Sequence, residues 1–135
     1  MKIRGENPTI DKYEHLPSFD MERIDVLIKL GNDLNENVLA QMLNLHFQAS
    51  AQIIEESQLA FANKNYILLA QLAHKFKSNS GQLGLIKLHA MCNDLENLIR
   101  VQNGTEIQIL ELLTAVTNEN VKTIQRLHEQ QGSSL

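Results

Sequence analysis

Residues 72–100 indicate both the fold and the site, and they read LAHKFKSNSGQLGLIKLHAMCNDLENLIR. At about 100° per residue, the apolar residues in and just before the first half of this stretch fall on one side of a helix, opposite His74. We therefore expect His74 to face outward, with mostly small residues along its own face. The opposing apolar stripe comprises Leu69, Leu72, Phe76 and Leu83.

The outward face of this helix is a candidate docking surface for a partner. Glycine inside a helix costs about 1 kcal/mol relative to alanine, so Gly81 needs a reason to be there. Clearance for a partner explains both Gly81 and the small Ser78, and close approach of another helix is the alternative. The predicted docking face on the His74 side comprises Ile67, Ala70, Gln71, Ser78 and Gly81.

The rest of the chain also shows helical periodicity, and no segment reads as a strand. The predicted fold class is all-α, an antiparallel four-helix bundle with an additional short N-terminal helix lying across one end. The predicted helices are a short one from Asp20 to Gly31 and longer ones at residues 36–62, 65–83, 85–101 and from Thr105 onward.

Individual residues of these helices predict local structure at the helix ends and in the core. Gly84 is expected to take a left-handed conformation just after the helix that bears His74. Asp20 and Thr105 are expected to cap the first and last helices by accepting hydrogen bonds from backbone N–H groups. Core-facing residues are expected at Ile24, Leu27, Ile28 and Leu30 in the first helix and at Leu39, Leu43, Phe47, Ala51, Ile54 and Leu59 in the second.

The length of 135 residues fits a single domain with flanking segments. Residues 1–17 hold both prolines and show no sustained periodicity, so they are predicted to form an N-terminal arm. Residues 18–131 are predicted to form the bundle domain, and residues 132–135 are predicted to form a polar tail.

Charge and hydropathy exclude several classes of protein. The net charge of −4 argues against nucleic-acid binding. No apolar run approaches the roughly 20 residues that cross a bilayer, and the N-terminus lacks the apolar core of a signal peptide. We therefore expect no membrane association and a cytoplasmic location. The single cysteine, Cys92, lies in an apolar stripe and is expected to be an ordinary buried thiol.

Charge is also distributed unevenly along the chain. Residues 57–93 contain four lysines and no Asp or Glu, whereas the remainder holds 8 basic and 16 acidic residues. Complementary charge speeds and orients the encounter of two proteins, so this segment is a candidate docking region for an acidic partner site. Chance spacing of surface charge is the alternative. The four lysines are Lys64, Lys75, Lys77 and Lys87.

Residues 74–84, HKFKSNSGQLG, resemble the helical signature of the histidine-containing phosphotransfer (HPt) domains of multistep two-component relays. That signature is roughly His-x-hydrophobic-Lys-Gly, then small residues, then a hydrophobic residue followed by Gly. The resemblance extends over residues 19–127 and departs at Ser78, where the family usually carries glycine. Serine is still small, so room for docking is kept.

The resemblance implies roles for three residues. His74 is the expected phosphoacceptor. Glu96 falls 22 residues later, on the following antiparallel helix, where family members carry Glu or Gln to hydrogen-bond the ring and orient the imidazole. Lys77 lies one turn beyond His74, where its ammonium can balance the charge of a phosphoryl group. The alternatives are a solvated helix carboxylate at Glu96 and a plain surface lysine at Lys77.

The function implied by the resemblance is that of a phosphorelay intermediate. The chain is expected to accept a phosphoryl group on His74 from the receiver-domain aspartate of a hybrid sensor kinase and to pass it to the receiver-domain aspartate of a response regulator. The sequence has no glycine-rich nucleotide loop, and its acid-free segment offers no carboxylate cluster for Mg²⁺. We therefore expect a monomeric phosphocarrier without kinase activity and without a cofactor of its own, with Mg²⁺ supplied by the partner receiver domain.

Two other classes of function compete with this interpretation. A helical interaction module could share the shape and bind partners without carrying phosphate; the departure at Ser78 leaves this open, although the rest of the signature is intact. A metal or haem bundle would need paired inward Glu and His ligands, and no HExxH motif or histidine pair at metal spacing is present. The remaining histidines are expected in the arm, on helix surfaces or at boundaries: His15, His46, His89 and His128.

Overall fold

The computed structural model describes residues 12–134, and for residue 127 and residues 130–134 it describes the backbone alone. Within these residues there are five α-helices and no strand, so the predicted all-α class is confirmed. The last four helices form a ring in which each packs on its neighbours. The helices are α1 (Met21–Leu34), α2 (Val38–Ala62), α3 (Tyr66–Gln82), α4 (Ile86–Arg100) and α5 (Glu106–Ser134).

Helix α1 lies across the end of the bundle at which α3 ends. The backbone N–H of Asp20 donates to the carbonyl oxygen of Gly84 at 2.7 Å, and Arg23 Nε donates to the carbonyl oxygen of Gln82 at 3.0 Å. The Asp20 carboxylate also caps α1, as expected, by accepting from the Arg23 backbone N–H. Gly84 has a φ of 77°, which confirms the predicted left-handed position after α3.

The predicted end of α1 at Gly31 is wrong, because the helix continues to Leu34 and ends at Asn35, whose φ is 55°. Gly31 is instead a contact position. The carbonyl oxygen of Glu36 lies 2.5 Å from the place that a Cβ on Gly31 would occupy, so the returning chain packs directly on this residue. Of the four residues expected to face the core in α1, two are buried, Ile24 and Leu27, and two are exposed, Ile28 and Leu30.

The core-facing side of α2 is more polar than its apolar pattern predicts. Phe47, Ala51 and Leu59 were expected to point inward, and all of them are exposed. Their places in the core belong to polar residues, which the apolar pattern does not detect, and the buried positions recur at spacings of three and four residues, as in a heptad. The buried residues of α2 are Leu39, Leu43, His46, Ser50, Ile53, Ser57 and Ala60.

The buried polar residues of α2 are paired with α5. His46 Nε2 lies 2.9 Å from Asn120 Oδ1, and Asn120 Nδ2 donates to Ser50 Oγ at 3.0 Å. His46 was expected at a surface or boundary position, and this expectation is wrong because its side chain is buried against Phe76. Buried polar groups are tolerated when they are hydrogen-bonded, so this network fixes the register of α2 against α5.

We expect His46 to make the bundle less stable in mild acid. Burial lowers the pKa of His46, an effect that its hydrogen bond to Asn120 offsets only in part. The unfolded chain, with a histidine pKa of about 6.5, therefore binds the proton more readily than the folded one, and the free energy of unfolding falls as the pH drops below that value. Urea unfolding at several pH values between 7.5 and 5 measures this slope, which should be shallower in His46→Gln.

His15→Gln is the matched control, because His15 is exposed and its replacement should leave the slope unchanged. Equal slopes in the parent and in His46→Gln would contradict the prediction.

The structure describes part of the predicted arm and part of the predicted tail. Tyr13, in the predicted arm, is buried, and its hydroxyl donates to Asp94 on α4. Helix α5 begins with the expected Thr105 cap and continues through the first residues of the predicted tail. Residues 1–11 and residue 135 lie outside the described residues, and the division into arm, domain and tail stays a prediction. None of the helices in the described part of the chain is long and apolar enough to span a membrane.

Candidate functional site

His74 lies on α3 and points away from the core, as its periodicity predicts. The predicted apolar stripe on the opposite side of α3 is entirely buried. The side chain of His74 is 56% exposed. Its imidazole is therefore accessible to a partner on the outer surface of the bundle.

Helix α4 runs antiparallel to α3 and brings Glu96 beside His74. The two carboxylate oxygens of Glu96 lie 3.1 and 3.2 Å from His74 Nδ1. A carboxylate is only an acceptor, so Nδ1 is the donor and carries a proton. In the neutral ring Nε2 then holds the free lone pair, which is the arrangement that nucleophilic attack requires.

The Glu96 carboxylate is also bound by two cationic side chains. Lys77 Nζ donates to Glu96 Oε1 at 2.8 Å and also contacts Asn93 Oδ1 at 3.4 Å. Arg100, one turn further along α4, donates from Nη1 to Glu96 Oε2. Lys77 is therefore held on the carboxylate in this structure. Arg100 was not among the residues predicted for this site, although its spacing of four residues from Glu96 is typical of an ion pair on a helix.

Glu96 is ionised and buried, with an exposed fraction of 5%. Burial by itself raises its pKa, but hydrogen bonds from Lys77 and His74 and the positive charge beside it outweigh burial, so the pKa of Glu96 lies below its usual value. One carboxylate faces two cationic side chains, Lys77 and Arg100. The cluster thus has an excess positive charge next to an exposed imidazole nitrogen, which suits an incoming anion.

The family of the chain follows from its sequence and agrees with this geometry. The sequence model of the Hpt domain matches residues 41–130, about two thirds of the chain. The chain belongs to the Hpt family. Hpt domains are phosphotransfer intermediates of phosphorelays and act as phosphocarriers, not as kinases.

Comparison with solved structures gives the same fold for this Hpt domain. The chain is similar to the crystal structure of a rice protein assigned as a histidine-containing phosphotransfer protein, with a TM-score of 0.68 and 18% sequence identity. The similarity covers 90% of this chain and 91% of the rice protein. A search of curated protein sequences gave no match.

The predicted docking face of the Hpt domain is exposed except at one residue. Ile67 is 77% exposed, and Gln71 and Ser78 are also exposed. Ser78 Oγ donates to the carbonyl oxygen of His74 at 3.3 Å, so its hydroxyl bonds back onto the helix. Ala70 is only 2% exposed, and its expected outward position is wrong. Packing of α3 against both α2 and α4 buries more of its circumference than the Leu69-to-Leu83 stripe alone predicts.

Gly81, the last residue of the predicted docking face, is exposed but lies against α4. A Cβ placed on it would stand 3.0 Å from Nδ1 of His89 and 3.4 Å from Cε1 of the same ring. Close approach of another helix, the alternative left open by the sequence, therefore accounts for this glycine. His89 is exposed, as expected, but its ring is fixed on the neighbouring helix, which its position in the sequence did not reveal.

The described residues contain no group of three or more His, Cys, Asp or Glu side chains arranged to hold a metal ion. Cys92 is fully buried, and burial raises the pKa of its thiol. A buried thiol held in its protonated form is a poor nucleophile. Cys92 is therefore not a candidate nucleophile for this site.

Proposed function

We propose that the chain accepts a phosphoryl group on Nε2 of His74 from the aspartyl phosphate of one receiver domain and passes it to the aspartate of another. The observation that carries this proposal is the pairing of Nδ1 with the buried Glu96 carboxylate, which leaves Nε2 exposed. An interaction module that carries no phosphate would need neither the anchored ring nor the buried ion cluster.

The chemistry needs no proton transfer from the protein. The Nε2 lone pair attacks the phosphorus, the bond between phosphorus and the aspartyl oxygen breaks, and the aspartate leaves with the electron pair. The ring keeps its Nδ1 proton and becomes positively charged as the new bond forms. Glu96 already accepts a hydrogen bond from Nδ1, so its negative charge stabilises this developing cation without rearrangement. The second transfer is the reverse of the first.

The charged residues around His74 are suited to bind a phosphoryl group and are not suited to bind Mg²⁺. Lys77 and Arg100 place positive charge beside the Glu96 carboxylate, which itself contacts the reacting ring. Residues 57–93 contain no carboxylate that could hold Mg²⁺ near His74, and Glu96 is occupied by its cationic partners. We therefore propose that the receiver supplies the Mg²⁺ together with the aspartate.

The partners that fit this chemistry are the receiver domains of a hybrid sensor kinase and of a response regulator. The lysines of residues 57–93 suit the acidic pocket in which a receiver would hold its aspartate and Mg²⁺. We propose that the chain acts in the cytoplasm. We also propose that it acts as a monomer, because a second copy covering the α3 face would compete with the receiver for His74.

Transfer can be tested directly with a phosphorylated receiver domain and Mg²⁺. Radioactive phosphate should move from the receiver to the chain and should be labile in acid and stable in base, as expected of a phosphoramidate bond. Phosphorus-coupled NMR should place the phosphoryl group on Nε2. Failure of every receiver tested to label the chain would contradict the proposal, and a label on Nδ1 would contradict the role of Glu96.

We expect Arg100→Ala to slow transfer less than the loss of Glu96 does. Without Arg100, Glu96 still accepts hydrogen bonds from Lys77 and His74, so the ring stays oriented while one positive charge is lost. Single-turnover transfer from a phosphorylated receiver measures the rate. Arg100→Lys, which keeps the charge, is the control and should restore most of the rate; an unchanged rate in Arg100→Ala would show that its charge plays no part.

A further inference from the structure

His89 lies in the first turn of α4, and its ring contacts α3 two turns beyond His74. His89 Nδ1 is 3.0 Å from the carbonyl oxygen of Lys77. The same ring occupies the space beside Gly81 that a larger residue would fill. The His89 imidazole is thus fixed on the outer surface of the bundle by two features of α3. These are the backbone carbonyl of Lys77 and the space left by the absence of a side chain at Gly81.

This contact determines which ring nitrogen of His89 is free. A backbone carbonyl is only an acceptor, so Nδ1 must be the donor and must carry a proton. Nε2 of the neutral ring is then an acceptor, and no residue in the described part of the chain is hydrogen-bonded to it. His89 is exposed, so this acceptor is available to another molecule.

His89 lies on the same side of α4 as Glu96, two helical turns from the contact between Glu96 and His74. His89, Asn93 and Glu96 follow one another at helical spacing on the side of α4 that contacts α3. Seven residues separate His89 from Glu96, which corresponds to about 10 Å along a helix. A protein interface of ordinary size covers roughly 800 Å² on each partner, equivalent to a disc about 16 Å in radius. A receiver centred on His74 therefore also covers His89.

We propose that His89 is a docking residue for the receiver domain, in which Gly81 and the Lys77 carbonyl fix the ring so that Nε2 accepts a hydrogen bond from the partner. This inference rests on the proposed function, because it takes the receiver to be the protein that covers His74. The contact is made before the phosphoryl group moves and is kept while it moves. It therefore strengthens binding of the receiver without changing the chemical step.

The test separates binding from chemistry in three variants, His89→Ala, Gly81→Ala and the double variant. The probe is the isolated receiver domain that labels the chain fastest in the assay described above or, where none labels it, the receiver domain that binds it most tightly. Transfer is measured against receiver concentration, and binding of the unphosphorylated receiver is measured by calorimetry. In His89→Ala we expect the half-saturating receiver concentration and the dissociation constant to rise by about 10-fold, equivalent to about 1.4 kcal/mol, with the saturated rate unchanged.

Gly81→Ala should give a similar loss of affinity, because its methyl group displaces the ring. The double variant should be no weaker than His89→Ala alone, since Gly81 acts only through His89. His128→Ala, at an exposed histidine on α5, is the matched control and should bind as the parent does. A small phosphodonor such as phosphoramidate should label His74 at the parental rate in every variant.

NMR of the imidazole nitrogens tests both the fixed ring and its contact with the receiver, and only the change at Nε2 on binding goes beyond a purely structural role. His89 should be protonated on Nδ1 in the free parent, lose this state in Gly81→Ala, and show a changed Nε2 signal when the receiver binds.

Unchanged affinity in His89→Ala, or protonation of Nε2 in the free parent, would overturn the inference. If a receiver binds but transfers nothing, the proposed function fails and the calorimetry still decides the role of His89. If no receiver binds, both fail. Circular dichroism and melting temperature identify a variant that fails to fold, and in that case the Nδ1 signal and the binding shift of His89 in the parent decide alone.

Discussion

His74→Gln should abolish phosphoryl acceptance while leaving the bundle folded. Glutamine has no nucleophilic nitrogen, and no other described residue combines an exposed imidazole with an Nδ1 held by a buried carboxylate. The His74 side chain is largely exposed, so the glutamine that replaces it displaces no core atom. The free energy of unfolding should therefore change by less than about 0.5 kcal/mol. Transfer from a phosphorylated receiver and urea unfolding of the same preparation measure the two effects.

His128→Gln provides the matched control for this variant. It changes an exposed histidine on another helix and should accept phosphate at the parental rate. Acid-labile phosphate on the His74→Gln variant would mean that a different histidine is the acceptor. This result would contradict the role proposed for His74.

Glu96→Ala should have the second largest effect and should slow transfer without abolishing it. The substitution frees the imidazole to rotate and removes the negative charge that stabilises the ring as it becomes cationic. Loss of such an orienting partner typically costs about 10- to 100-fold in activity, and the nucleophile itself remains. Single-turnover transfer at saturating receiver measures the rate of the chemical step.

Glu96→Gln separates orientation from charge. The amide oxygen can still accept a hydrogen bond from Nδ1, but the side chain no longer carries the charge that balances Lys77 and Arg100. Its rate should therefore lie between those of the parent and Glu96→Ala. Equal rates in the parent and Glu96→Ala would show that the observed contact has no part in transfer.

The parent and Glu96→Gln also allow a test of the lowered Glu96 pKa through the pH dependence of stability. The pKa of Glu96 is lowered in the folded state, so the unfolded chain binds its proton first as the pH falls. The contribution of Glu96 to stability is complete above its pKa in the unfolded chain, about 4.5, and is lost as the pH falls through its pKa in the folded chain. Urea unfolding between pH 6 and pH 3 should therefore show a weaker acid dependence in Glu96→Gln than in the parent.

Much of this Hpt domain is determined locally by its sequence. The side of α3 that His74 occupies follows from the spacing of apolar residues in one helix, and the Asp20 and Thr105 caps and the left-handed Gly84 follow from properties of single residues. Glu96 was found through the resemblance to HPt domains, since a separation of 22 residues across a turn does not by itself bring two side chains together. The structure shows that they are in contact.

Other features depend on which helices are neighbours, and only the tertiary structure decided them. Ala70 is buried because α3 packs on two helices. His46 is buried because Asn120, from α5, satisfies its hydrogen bond. Gly81 lies on the outward side of α3, yet what it accommodates is His89, a residue of α4. Periodicity within one helix indicates which side of that helix faces the core. Hydrogen-bond partners and close contacts depend on side chains far away in the sequence, about which that periodicity carries no information.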